Sequence, residues 1–340
     1  MVDAARPRSA TIEDVAAAAG VSRAAVSKVL RNAYGVSDSM RNRVSAAMTE
    51  LEYRPRVAAR AMRGRTYTIG IEIPDFGNQF FTRVLAGTTA ALSDTAYQVV
   101  IAPAEHGLRE GLRAIEALVD RQVDGLIVVS PRLEQSALER IARTTPLVMI
   151  GRHSPSEMYD TVAGDDAHGV DAAMSHLVEL GHRQIAHLTL HESDPHEDGP
   201  HSVRLARYLE TMALHGQADD DLVWRSDEGQ ESACAAVERA LQSGSRATAL
   251  FAAHDELALG AQRAIAELGA ELSVVGYDDV PIASHPALGL TTVHQPGDLM
   301  GARAVHLLME RFEGRTVAAH EVFKPELRVR TSTRPPSLDG

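Results

Sequence analysis

From Thr68 onward the chain alternates short β-branched runs with longer amphipathic stretches, and this alternation restricts the fold more than any other feature. Thr68–Ile73, Gln98–Ala102, Gly125–Val129, Leu147–Ile150, Gln184–Thr189, Thr248–Ala252 and Ser273–Gly276 read as buried strands. Phe80–Asp94, Leu108–Arg121, Val170–Leu180, Val203–His215, Ser232–Ser243 and Glu256–Leu268 read as the helices between them. Strand and helix in turn build doubly wound parallel sheets, whose ligand sites lie at the carboxyl ends of the strands. Seven such strands exceed one six-stranded half, so the body divides into two lobes about a cleft.

The charge divides as well. The 340 residues carry 34 Lys/Arg against 46 Asp/Glu, a net of −12. Residues 1–65 hold 12 basic and 6 acidic residues, or +6, which leaves 22 and 40, or −18, for residues 66–340. A basic module on an acidic body points to a nucleic-acid partner for the first segment. With 44% apolar and 24% charged residues the chain is neither collagen-like nor disordered. The single cysteine, Cys234, closes no internal disulfide. No apolar run reaches the length of a signal peptide or of the ~18 residues of a membrane span, so a cytoplasmic protein without a membrane partner is expected.

Within the basic segment, Thr11 is placed to cap a helix whose first turn carries Glu13 and Asp14, and Ile12, Val15, Ala16 and Ala19 form its apolar stripe. Gly20 ends that helix, and Ser22 caps a second one running to about Leu30. Val26, Val29 and Leu30 face inward, so Arg23, Ala24, Ser27 and Lys28 are presented outward, as in a helix that enters the major groove. Arg23 or Lys28 suits a guanine edge, and Ala24 offers only an apolar contact. Thr11, Ser22, Ser27 and Asn32 suit phosphate oxygens. Val36-Ser37-Asp38 opens a third helix to about Leu51, and Tyr53–Arg65 is an arginine-rich linker whose charges repel one another until phosphates relieve them.

TIEDVAAAAGVSRAAVSKVLRN at Thr11–Asn32, VSDSMRNRV at Val36–Val44 and LEYRPRVAARAMRGR at Leu51–Arg65 resemble the headpiece and hinge of the LacI/GalR family of bacterial transcription regulators. The body segments IGIEIPDFGNQFF, VDGLIVV, HLVELGHRQIAHL, AHDELALGA, SVVGYDD, LTTVHQPGDLMGARAVHLL and PELRVRTSTRPP extend the likeness over nearly the whole chain. The resemblance implies a three-helix helix-turn-helix headpiece at 1–54, a hinge at 55–65 and a two-lobed periplasmic-binding-protein-like core at 66–340. Lobe 1 would take about 66–164 and 293–323, and lobe 2 about 165–291 and 324–332. It gives Arg23 and Ala24 the base-reading positions, with Lys28 and Arg31 further along. Arg56, Ala59, Arg60 and Met62 become hinge contacts to DNA. Met62 stands at the position that wedges into the minor groove, and Arg56 replaces the usual asparagine.

For the effector the resemblance selects Phe76, Asn78 and Phe80 after the first strand, Asp165 at the crossover, Arg204 as the effector arginine, and His254, Asp255 and Asp278 at later strand ends. His254 stands where asparagine is usual, and Arg207 where glycine usually follows the arginine. Glu105 and Glu228 are further candidates. A carboxylate-rich pocket repels acidic effectors and favours a neutral sugar or glycoside. HESDPHEDGPH at His191–His201 holds three histidines and four carboxylates, but its spacing fits no zinc pattern, and neither a metal nor a cofactor is expected.

The implied protein is a homodimeric repressor of carbohydrate-utilisation genes, released from a pseudo-palindromic operator by its effector. The alternative is a corepressor-dependent repressor, or an activator, responding to a ligand such as a nucleobase. An enzyme is disfavoured, because neither a Walker loop, a G-x-S-x-G elbow nor a dinucleotide fingerprint is present. The stretch after RTSTRPP carries no leucine heptads, so a dimer is expected and not a tetramer.

Overall fold

The computed structural model describes residues 10–30, 34–53, 65–104, 108–191, 199–217 and 219–337. It divides into two compact units, Met1–Thr66 and Tyr67–Gly340.

The first unit holds α1 (Ile12–Ala19), α2 (Arg23–Leu30) and α3 (Asp38–Glu50). Thr11 and Asp14 close a reciprocal capping box on α1, in which the Asp14 amide donates to Thr11 Oγ1 at 3.3 Å and the Thr11 amide donates to the Asp14 carboxylate at 2.7 Å. Gly20 then takes a left-handed φ of 62°, which frees the chain to turn sharply into α2. Val15, Val26 and Val44, one from each helix, are fully buried and join the three.

In the second unit, β1 (Thr68–Ile73), β2 (Gln98–Pro103), β3 (Gly125–Val129), β4 (Leu147–Ile150), β5 (Asp160–Gly164) and β11 (His320–Phe323) form one parallel sheet ordered β11-β5-β4-β3-β1-β2. The other sheet, ordered β12-β10-β9-β8-β6-β7, contains β6 (Ile185–Leu190), β7 (Val223–Ser226), β8 (Ala249–Ala252), β9 (Ser273–Asp278), β10 (Thr291–His294) and β12 (Glu326–Arg328). Only the β10–β12 pair in it is antiparallel. Helices α4 (Gln79–Ala91), α5 (Leu108–Asp120), α6 (Gln135–Ala142) and α11 (Gly297–Phe312) cover the first sheet. Helices α7 (Asp166–Glu179), α8 (Pro200–Leu214), α9 (Gln230–Gln242) and α10 (Asp255–Leu268) cover the second. Among the described residues no helix is long and apolar enough to cross a membrane.

The chain passes between the sheets after β5, after β10 and between β11 and β12. Strand β10 pairs with β9, so the second lobe runs through His294, three residues beyond the expected border at 291. The sequence pattern also misses β5, β7, β10, β11 and β12 as strands. In β5 an acidic residue opens an otherwise small-residue run, DTVAG, and its burial depends on distant partners. Asp160 is fully buried because Arg311 and Arg315 each hold its carboxylate with two hydrogen bonds of 2.8–2.9 Å and the Ala319 amide donates a further one. Burial opposes its ionisation, yet these donors bring its pKa down to about 2.

Candidate functional site

In the head, Arg23, Ala24 and Lys28 are exposed on α2 while Val26 is sealed beneath them. The Ala25 amide donates to Ser22 Oγ at 3.1 Å, so the Ser22 side chain caps the helix whose first turn it precedes. Ser27 is half-buried on the same helix. Arg23 approaches Glu13 at 3.6 Å with both side chains about 70% exposed, a pair of the weak surface kind that a phosphate or base edge displaces readily. The Thr11 hydroxyl donates to Asp14 at 2.7 Å, so it is already engaged in the α1 cap. Arg31, Asn32, Arg56, Ala59, Arg60 and Met62 lie outside the described residues.

In the body, the carboxyl ends of both sheets face a cleft with an internal volume of about 150 Å³, several times the ~30 Å³ of one water. Arg204, on α8, is 3% exposed at its centre. Its Nε donates to Asp166 Oδ1 at 2.8 Å, its Nη1 donates to the Ala253 carbonyl, and its guanidinium lies 3.6 Å from the centroid of the Tyr277 ring. His153 Nε2 meets the other oxygen of Asp166 at 2.9 Å. Burial works against the Asp166 charge, but Arg204 and then His153 hold its carboxyl below the usual range. The network runs from a lobe 1 loop, through the first crossover, into lobe 2. Room for Tyr277 comes from Gly169, where a Cβ would stand 2.2 Å from the tyrosine oxygen.

A second group closes the other side. His254 Nε2 lies 3.0 Å from Glu228 Oε1, and the His201 ring sits edge-on to His254 at 5.4 Å. Burial pushes His201 down to about 3, with His254 adding to the effect. On His254 burial pulls the same way, but Glu228 and Asp278 outweigh it and raise the imidazole above its ordinary value. Nδ1 of His201 and Nδ1 of His254 are buried without a hydrogen-bond partner among the described residues. Burial raises Asp278 to about 6, although Arg204 and His254 oppose the shift and Gln295 Nε2 donates to Oδ1 at 2.9 Å. Its backbone φ of 114° is costly for a residue with a Cβ, the kind of strain that collects at ligand clamps. Arg83, on α4, ties the lobes by donating to the Asp279 carbonyl at 3.0 Å.

The structure thus brings Asn78, Phe80, Arg204, His254 and Asp278 to the cleft, and Glu228 with them. Three expected residues do not line it. Phe76 is 64% exposed. Asp165 caps α7 by accepting from the His168 amide, and its neighbour Asp166 turns inward instead. Asp255 is fully buried beneath the wall, accepting from Thr292 Oγ1 and the Val280 amide. Arg207 is also outside, held by Asp171 and Glu210. Glu105 and the 192–198 part of the histidine-rich loop fall outside the described residues. His191 and His201 at the two ends of that loop line the cleft, with Arg132, Arg225 and Glu72, which the sequence reading did not select. Those arginines also make the lining less one-sided in charge than its carboxylates alone suggest. A visible signal existed for Glu72, the charged residue of the buried strand TIGIEI.

Two lobes closing on convergent polar groups, in a chain that also carries a basic, capped helix-turn-helix, define a ligand-responsive DNA-binding regulator. Residues 11–56 match the bacterial regulatory proteins of the lacI family, and residues 174–333 match the periplasmic binding protein-like domain. The chain is 30% identical over 337 residues to the HTH-type transcriptional repressor PurR of Photobacterium profundum, covering 96% of this chain and 99% of that one. It is 31% identical over 310 residues to the ribose operon repressor of Escherichia coli (strain K12), covering 89% and 93%. Among solved structures, a complex of the transcriptional regulator CelR with cellobiose superposes with a TM-score of 0.69 at 31% identity, covering 95% of this chain and all of that one. The lac repressor dimer bound to operator and the anti-inducer ONPF superposes with a TM-score of 0.78 at 27% identity, covering 96% and 100%. The chain belongs to the lacI family: it is a helix-turn-helix transcriptional repressor with a periplasmic-binding-protein-like ligand domain, and not an enzyme.

Proposed function

We propose that this repressor acts as a homodimer on a pseudo-palindromic operator and controls carbohydrate-utilisation genes, releasing DNA when a neutral sugar or glycoside fills the cleft. The observation that carries this reading is the lining itself. Its charged groups are largely matched in pairs, Arg204 with Asp166 and His254 with Glu228, while Nδ1 of His201 and of His254 are left for a ligand's hydroxyls. A phosphorylated sugar would instead need free cationic groups. The ribose operon repressor and the cellobiose complex of CelR among its relatives support a sugar. An effector acts only through unequal affinity for the DNA-bound and released states.

The test is a thermal-shift screen of the full chain against D-ribose, cellobiose and related neutral saccharides, sugar phosphates and nucleobases. A true ligand raises the melting temperature, by an amount equivalent to ~2.7 kcal/mol at a hundredfold excess over Kd. A neutral saccharide is the expected hit. A nucleobase or sugar-phosphate hit in its place overturns the sugar reading, and a nucleobase that strengthens operator binding establishes the corepressor mode.

For the DNA half, Lys28→Ala and Arg23→Ala are each expected to weaken operator binding by about 1–3 kcal/mol for a lost base contact, roughly five- to 150-fold. Effector affinity stays as in the wild type. Fluorescence anisotropy with operator DNA across a salt series checks this, and unchanged operator affinity in both variants would remove α2 as the reading helix.

A further inference from the structure

The cleft holds a carboxyl group that the pairs described above do not explain. Glu72 is 1% exposed near the end of β1, between Ile71 and Ile73, whose side chains pack into the core on the opposite face of the sheet. Among the described residues its carboxyl has a single hydrogen-bond partner, the Val129 amide, which donates to Oε2 at 3.2 Å. The flanking strands β2 and β3 have no charged residue in QVVIAP or GLIVV. Helix α5, which packs against β1, contributes Gly111 to the cleft lining. The charged or titratable groups lining the cleft are Asp75 and Arg132 in the same lobe, and Asp166, His191, His201, Arg204, Arg225, Glu228, His254 and Asp278 from the crossover and lobe 2. None of them forms a hydrogen bond or ion pair with Glu72. Asp75 turns its carboxylate to the Gly77 and Asn78 amides, and Asp166 and Glu228 face Arg204 and His254.

We propose that Glu72 serves as an uncharged carboxylic acid that donates a hydrogen bond from lobe 1 to an oxygen acceptor of the effector, a hydroxyl or ring oxygen of a sugar. This rests on the sugar reading above. A buried carboxylate without a cation is expensive, whereas its acid form has one oxygen accepting from Val129 and an O–H free to reach into the cleft. The alternative occupant, an ammonium on the ligand, would instead pair with a charged carboxylate at this position, and it is the competing outcome of the test below. Burial, only partly offset by the Val129 amide, pushes the Glu72 carboxyl up to about 8, consistent with an acid form at neutral pH. Donation across the cleft gives lobe 1 its own hold on the ligand opposite Arg204, as lobe closure requires.

The test uses the full-length chain with D-ribose, cellobiose and glucosamine as probes. Infrared difference spectra of wild type against Glu72→Gln at about pH 7 are expected to show the carbonyl stretch of a protonated carboxylic acid in the wild type alone, shifted by whichever neutral sugar binds. Absence of that band overturns the proposal whatever the ligand. For the sugar that binds, wild-type affinity falls about tenfold per pH unit above about 8, because binding then requires uptake of one proton. Glu72→Gln, whose amide both accepts and donates, binds within a few-fold of wild type and loses this slope. Asp278 titrates below this window, and His254 is present in both proteins, so the difference between them isolates residue 72. Glu72→Leu loses at least tenfold in affinity at about pH 7. Equal pH profiles in wild type and Glu72→Gln, or a Glu72-dependent preference for glucosamine over the neutral sugars, overturn the proposal. If no saccharide raises the wild-type melting temperature, the sugar reading falls and the assigned acceptor falls with it, while the infrared band still reports the state of the acid separately.

Discussion

Arg204→Ala is expected to lower the stability of the effector body by about 3–5 kcal/mol, the range for removing one partner of a buried ion pair. The guanidinium is the main cation beside the buried Asp166 carboxylate, and it also holds the Ala253 carbonyl and covers Tyr277. Without it, the cation left beside Asp166 among its named partners is His153. The pH dependence follows from the signs of the shifts. In the wild type the folded-state pKa of Asp166 is depressed, so its contribution is fully present above the unfolded value near 3.9 and is lost as pH falls through the folded one. In the variant, burial acts with the guanidinium gone and raises that pKa, so acidification protonates Asp166 in the fold and stabilises it. The gap between the two proteins is therefore expected to narrow from about pH 7 to about pH 4.5. Denaturant unfolding of the full chain at both pH values measures it. Adding Asp166→Asn to Arg204→Ala should restore part of the loss at about pH 7. A cost below about 1 kcal/mol, or a gap indifferent to pH, would mean that Asp166 carries no uncompensated charge in the variant. The same substitution removes a wall of the cleft, so sugar binding is lost while operator binding remains.

Gly87→Ala is expected to be comparably damaging, costing about 3 kcal/mol or more although it adds one methyl group. A Cβ at Gly87 would stand 1.8 Å from the backbone oxygen of Asp298, and one at Gly301 would stand 2.1 Å from that of Val84. Helices α4 and α11 therefore cross backbone against backbone, and no side-chain rotation relieves the clash. The disturbance reaches the cleft, because α4 is capped by Asn78 and carries Phe80 and the Arg83 that binds across to lobe 2. Gly111→Ala is the contrast. Its Cβ would meet Ala104 at 3.7 Å, an ordinary contact, and alanine is the better helix former, so the stability change stays within about 1 kcal/mol. Thermal unfolding of the two variants side by side checks the pair. Equal tolerance would show that α4 and α11 move apart at little cost.

Much of the head was readable because its determinants are local. Thr11, Gly20 and Ser22 act through bonds to residues three or four positions away, and such spacing is visible in a string of letters. The main strands were readable for a related reason. A run such as GLIVV is apolar throughout because both faces of a parallel sheet are covered. Strands β5 and β11 escaped notice because they lie toward the far edge of their sheet, where Asp160 is buried only by virtue of Arg311 and Arg315, some 150 residues away in the chain. The acidic doublet Asp165-Asp166 shows the same limit within one turn of helix. Both positions suit a helix start, and only the direction of α7 against Arg204 decides that Asp165 caps while Asp166 enters the cleft.

The sequence by itself determined the strand and helix alternation, the two-lobe division and the basic capped head, because each follows from local periodicity or local charge, while Arg204, His254 and Asp278 became site candidates through the resemblance of their segments to the LacI/GalR family. Only the tertiary structure decided which carboxylates are paired, which are buried supports and which are left for a ligand. Asp255, Asp278 and Glu72 are equally acidic as letters, yet one binds Thr292 inside the wall, one takes Gln295 at the hinge, and one meets only the Val129 amide. The physical reason is that a carboxyl group's charge and role are set by its burial and its neighbours, and in a doubly wound fold those neighbours arrive from strands and crossovers far apart in the chain.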